Sequence, residues 1–80
     1  MTVQVRLFAA LRELAGSGRV EATGRSVGEV ADALSRAHGE RFAAIVAVSS
    51  FVVNGESAAR SAVIAEGDDV AILPPVSGGH

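Results

Sequence analysis

The 80-residue sequence contains no cysteine, tryptophan, tyrosine or lysine. Without cysteine there is no disulfide, no thiolate metal site and no cysteine nucleophile, and no side chain can carry sulfur as a thiol. All seven basic residues are arginine: Arg6, Arg12, Arg19, Arg25, Arg36, Arg41 and Arg60. The chain therefore has no ε-amine to accept an acyl group from a copy of itself. The arginines form no stripe or block, and the net charge is −2, so nucleic-acid binding is not expected. No apolar run approaches the roughly 20 residues of a membrane span. The opening MTVQVRLFAA lacks the basic region that precedes the apolar segment of a signal peptide, so a cytoplasmic protein away from the membrane is expected. With two histidines and no cysteine, no metal site is expected.

The length suits one domain near the small end of what folds alone. Hydrophobic residues make up 49% of the chain, yet only Phe8, Phe42 and Phe51 are aromatic. Val3, Val5 and Leu7 alternate with Thr2, Gln4 and Arg6, the period of a strand with one buried face. Phe8 to Ala15 shifts toward helical spacing, enough for a turn or two, and Gly16-Ser17-Gly18 stops it. Arg19 to Thr23 reads as a second strand, antiparallel to the first.

Ser26 opens the clearest helix. It stands three residues before Glu29, the spacing at which each side chain caps the other's backbone N–H. Val27, Val30, Ala31, Leu34 and Ala37 share one face, and Gly39 is placed to end the helix. The stretch from Glu40 to Ser50 reads equally as a helical turn or as irregular buried chain. Phe51-Val52-Val53 is a strand, with Phe51 in the core. Asn54-Gly55 favours a tight hairpin turn, and Glu56 to Ala58 forms a short return. Gly67-Asp68-Asp69 is a turn, its carboxylates turn formers rather than an acid–base pair. Val70 to Leu73 is the last strand.

A hairpin, a helix across one face, and further strands returning beside the first describe an α+β, β-grasp (ubiquitin-like) domain. The expectation is a mixed sheet of four to five strands under one main helix. The last strand is expected to lie parallel to the first, a pairing that needs a long right-handed crossover. The domain spans residues 1–73, followed by a tail over 74–80.

That tail is Pro74-Pro75-Val76-Ser77-Gly78-Gly79-His80. The prolines lack an N–H and stiffen the exit. Gly78 and Gly79 have no side chains, so their backbone fits a narrow channel in another protein. Alone, a terminal Gly-Gly is an ordinary loose end. An ionised α-carboxylate is a poor electrophile, with a pKa of about 3.5. This chain has neither a phosphate-cradling GxxxxGK[ST] loop nor a metal cluster to activate it, so activation belongs to partners.

Several segments resemble the MoaD/ThiS family of ubiquitin-like sulfur carriers. They are Val5-Arg6-Leu7-Phe8-Ala9-Ala10-Leu11-Arg12-Glu13-Leu14-Ala15-Gly16, Ser26-Val27-Gly28-Glu29-Val30, Val53-Asn54-Gly55-Glu56, and Gly67 through Gly79. The LFAALRE opening and LPPVSGG ending are most similar to the small subunit of molybdopterin synthase. The resemblance implies that the carboxylate of Gly79 is adenylated with ATP by an E1-like enzyme and converted to a thiocarboxylate. It further implies that a large subunit of molybdopterin synthase accepts the tail and uses the sulfur for the dithiolene. ATP would serve the activating partner, with no cofactor held stably by the carrier, which alone would be catalytically inert.

In that scheme Gly79 bears the sulfur and Gly78 permits threading, while Pro74, Pro75, Val76 and Ser77 position the tail. Phe8, Leu11 and Ile72 are read either as core or as an apolar partner surface at the tail base. His80 must be absent before Gly79 can react, because its attachment makes that carbon an amide. It reads either as a tag remnant or as a native residue removed by a peptidase. Carriage for cysteine or thiamine biosynthesis, protein tagging, and a β-grasp binding module without carrier chemistry remain alternatives.

Overall fold

The computed structural model describes residues 2–75, and its first element follows from the period-two pattern. In β1 (Thr2–Leu7), Val3, Val5 and Leu7 are buried while Thr2 and Gln4 are exposed on the other face. Ala9 takes a left-handed conformation, φ 52°, which costs a non-glycine residue about 1 kcal/mol, as the chain turns from β1 into α1 (Ala9–Ala15). Gly16, at φ 79°, closes α1 by donating to the Arg12 carbonyl at 3.0 Å. β2 (Arg19–Thr23) then returns antiparallel to β1, with Val20 opposite Val5.

α2 (Val27–His38) begins where Ser26 Oγ accepts the Glu29 N–H at 3.2 Å. The reciprocal arm of this cap differs from the expected box: the Glu29 carboxylate accepts from the Arg25 N–H at 2.9 Å. Ser26 itself forms a lone antiparallel bridge with Val63. The next free N–H groups of the helix are also satisfied by that connector, Val27 by the Ala62 carbonyl and Gly28 by the Arg60 carbonyl, at 3.0 and 2.8 Å. A side chain at Gly28 would approach the Arg60 carbonyl to 3.2 Å, so the close contact favours glycine there.

The stretch that was ambiguous in sequence is helical: α3 (Glu40–Ala47) follows Gly39 directly. It has no side-chain N-cap and is short, which is why its pattern was faint. Phe42 and Val46, one turn apart, supply its buried face. β3 (Ser50–Val53) and β4 (Glu56–Ala58) form a hairpin across Asn54-Gly55, whose φ values of 51° and 84° match a tight turn. β5 (Asp69–Leu73) completes a five-stranded sheet ordered β2-β1-β5-β3-β4. β5 runs parallel to β1, Val70 beside Val5 and Ile72 beside Leu7, and antiparallel to β3.

One apolar core lies between the sheet and the helices. Val3, Val5, Leu7, Phe51, Val70 and Ile72 come from the strands, and Leu11, Val27, Val30, Leu34, Phe42 and Val46 from the helices. No polar or charged residue is buried among the described residues.

Asn54 joins the hairpin to the turn before β5. Its amide donates to Asp68 Oδ1 at 3.1 Å, its side-chain oxygen accepts the Asp69 N–H at 2.9 Å, and its own N–H donates to the Asp69 carbonyl at 2.8 Å. Asp68 Oδ2 accepts the Ala65 N–H at 2.7 Å. The Ala65 N–H first, and the Asn54 amide second, hold the Asp68 carboxyl below the usual aspartate range. This contribution is complete above the unfolded pKa of about 4 and is lost as pH falls through the lower folded value. Asp68→Asn is therefore expected to lower stability at neutral pH and to differ progressively less from wild type below about pH 4. Urea unfolding across that range reads the difference, and a constant gap would contradict the assignment.

Candidate functional site

β5 occupies the middle of the sheet, so the chain leaves from between β1 and β3 rather than from an edge. Its ladder ends with Ile72 beside Leu7 and Leu73 opposite Ser50. Pro74 is half-buried and Pro75 exposed. Neither has an N–H, so pairing stops where the prolines begin. The described residues end at Pro75; Val76, Ser77, Gly78, Gly79 and His80 lie outside them.

Two large apolar side chains are exposed beside this exit, Phe8 at 38% and Leu73 at 36%. Each follows a member of the Leu7–Ile72 pair on parallel strands, so the register brings them to one level at the ends of β1 and β5. Strand alternation turns them away from the core face. Behind them on this open face, Arg6 engages Asp69 through two contacts, Nε to Oδ1 at 3.2 Å and Nη2 to Oδ2 at 2.8 Å. Both side chains are nearly half exposed, so this pair adds little to stability and mainly fixes where the charges stand.

The structure corrects two members of the expected partner surface. Leu11 and Ile72 are fully buried. Leu11 sits on the inner side of α1, and Ile72 on the core face of β5, opposite Phe51. Phe8 is exposed, and Leu73, which the sequence reading passed over, takes the place given to Ile72. Val-Ala-Ile-Leu is apolar at every position, so its own pattern could not say which residues point out. Phe51 is buried, as expected.

The described residues carry no catalytic constellation. They include no group of three His, Cys, Asp or Glu side chains able to hold a metal. His38 packs its ring against Phe42, centroids 4.9 Å apart. Among the described residues, one open depression lies beside the β3–β4 hairpin near Asn54 and Asp68, and another between α1 and α3 around Leu14 and Ile45. No helix of the described structure is long and apolar enough to cross a membrane. What the described residues present is a chain that leaves the centre of the sheet through two prolines, with Phe8 and Leu73 exposed beside the exit.

The sequence matches the ThiS family over residues 5–79. It is 41% identical to small archaeal modifier protein 1 of Haloferax volcanii, over 92% of this chain and 97% of that protein. Among solved structures it resembles a Pyrococcus furiosus chain assigned as subunit 1 of a molybdopterin converting factor, with a TM-score of 0.82, 29% identity, and coverage of 95% of this chain and 99% of that one. It also resembles a chain of the BexX/CysO complex of Amycolatopsis orientalis, with a TM-score of 0.79, 31% identity, and coverage of 96% and 99%.

Proposed function

This chain belongs to the ThiS family of ubiquitin-like sulfur carriers, and from that premise we propose that it carries sulfur as a thiocarboxylate on Gly79, as the small subunit of a molybdopterin synthase. The observation that carries the reading is that the chain leaves the centre of the sheet at Leu73-Pro74-Pro75, with Phe8 and Leu73 exposed there, and that its sequence continues as Val-Ser-Gly-Gly. The family match runs to Gly79, one residue short of His80. A peptidase exposes the Gly79 carboxyl where His80 is native. An E1-like partner then spends ATP to convert this unreactive carboxylate to an acyl adenylate, and a sulfur nucleophile displaces AMP. The large subunit receives the tail and takes the sulfur. The chain itself contributes a pre-stiffened tail, which limits the entropy lost on threading.

Incubating the chain ending at Gly79 with ATP, an activating enzyme and a sulfur donor is expected to add about 16 Da, one oxygen exchanged for one sulfur. No mass change with any competent enzyme would refute carriage. Transfer to a molybdopterin synthase large subunit then tests the pathway.

Docking is assigned to the exposed pair. Phe8→Asp or Leu73→Asp is expected to weaken binding of the large subunit about 10- to 100-fold, the range of an apolar anchor. The melting temperature should change little, because neither side chain is in the core. Calorimetric titration measures the first and thermal unfolding the second.

The 41% identity to a modifier protein favours a second reading, in which the Gly79 carboxyl is joined to an amine of a target protein. A conjugate found at the mass of target plus carrier minus water would establish it.

A further inference from the structure

We infer that the folded domain offers no side-chain acceptor for its own activated C-terminus, so that copies are not joined to one another through their side chains and the acyl group passes either to an N-terminal amine or to a nucleophile on a different protein. This rests on the Gly79 reading. Capture of an activated glycine by an amine is a balanced substitution: nitrogen attacks the carbonyl carbon, an amide bond forms, the leaving group departs and a proton is lost to solvent. The amine must be unprotonated. A lysine reaches that form near its pKa of about 10.4, whereas an arginine guanidinium stays protonated. Six of the seven arginines are exposed, on α1, β2, α2, α3 and two loops. Those are positions where lysines would have been open to a neighbour's tail.

The remaining nucleophiles are weak for a structural reason. A hydroxyl needs an adjacent base, and no described serine or threonine bonds to a histidine. Ser17, Ser35 and Ser49 donate to backbone carbonyls, and Ser26 accepts a backbone N–H as a helix cap. His38 lies against Phe42. There is no cysteine.

The test uses the chain ending at Gly79, prepared as its 2-mercaptoethanesulfonate thioester. The N-terminal amine is first dimethylated, a reaction that a lysine-free protein confines to that one site. Concentrated thioester is held at about pH 9, close to the pKa of a lysine amine, with added free lysine in a parallel sample to confirm that it can be captured. Hydrolysis without covalent dimer is expected. Adding unactivated R12K/R19K/R36K chain as acceptor is expected to produce a covalent heterodimer stable to hydroxylamine. Those three positions are exposed, so the substitutions leave the core untouched. Dimer from the wild-type chain alone, whether an amide or a hydroxylamine-sensitive ester, would overturn the inference, as would failure of the lysine variant to accept. The thioester is made without an activating enzyme, so this outcome is independent of the 16 Da test of carriage.

Discussion

Ending the chain at Gly78 is expected to reduce thiocarboxylate formation and sulfur transfer at least about 100-fold while leaving the melting temperature unchanged. One residue shortens an extended tail by roughly 3.3–3.6 Å. Reacting atoms must approach to about 3–3.5 Å, and a misplacement of about 1 Å costs on the order of 100-fold. A carboxyl carbon withdrawn by a whole residue thus lies outside the reach of groups set for Gly79. The domain does not register the loss, because its core is built from residues between Val3 and Ile72. Mass analysis after incubation with ATP, activating enzyme and sulfur donor measures the first effect, and calorimetry the second. Modification of the shortened chain at the full-length rate would show that tail length does not place the reacting carbon.

The largest effect on stability is expected from Phe42→Ala. Phe42 is the largest fully buried side chain in the core. Removing a buried phenyl ring costs about 3–5 kcal/mol. The stability of a domain this small is on the order of 4–12 kcal/mol, at about 0.05–0.15 kcal/mol per residue. The variant is expected to lose about a quarter or more of its stability and, toward the lower end of that range, to be substantially unfolded. Urea unfolding gives the midpoint. A loss below about 1 kcal/mol would mean that α3 is not anchored through this ring. Phe8→Ala, at a similar residue on the exposed side, is the contrast: little change in stability is expected.

Phe42 also shows why part of the fold was hard to read from sequence. Its helix has no polar N-cap, and its buried face consists of two residues. α2 was plain because Ser26, Glu29 and Gly39 mark its ends and five apolar residues share a face. The pairing of β1 with β5 was expected from topology, and the structure shows it. Leu11 and Ile72 were open between core and surface in the sequence, and burial decides for the core.

The sequence by itself determined the chemistry available: no thiol, no lysine amine, no phosphate-binding loop, and a glycine pair behind two prolines. These depend on which atoms are present, and folding cannot add to them. It also determined the strands whose two faces differ in polarity, since a period of two has one stable orientation. Only the tertiary structure decided which residues flank the tail. Val70 to Leu73 is apolar at every position, and that run by itself does not distinguish Ile72 from Leu73. The helices cover one side of the sheet, turning Ile72 inward and leaving Leu73 beside Phe8. The lowered Asp68 carboxyl divides the same way: its larger cause, the Ala65 N–H, is three residues away in the turn, while its Asn54 partner stands 14 residues away in sequence and is brought close by the sheet.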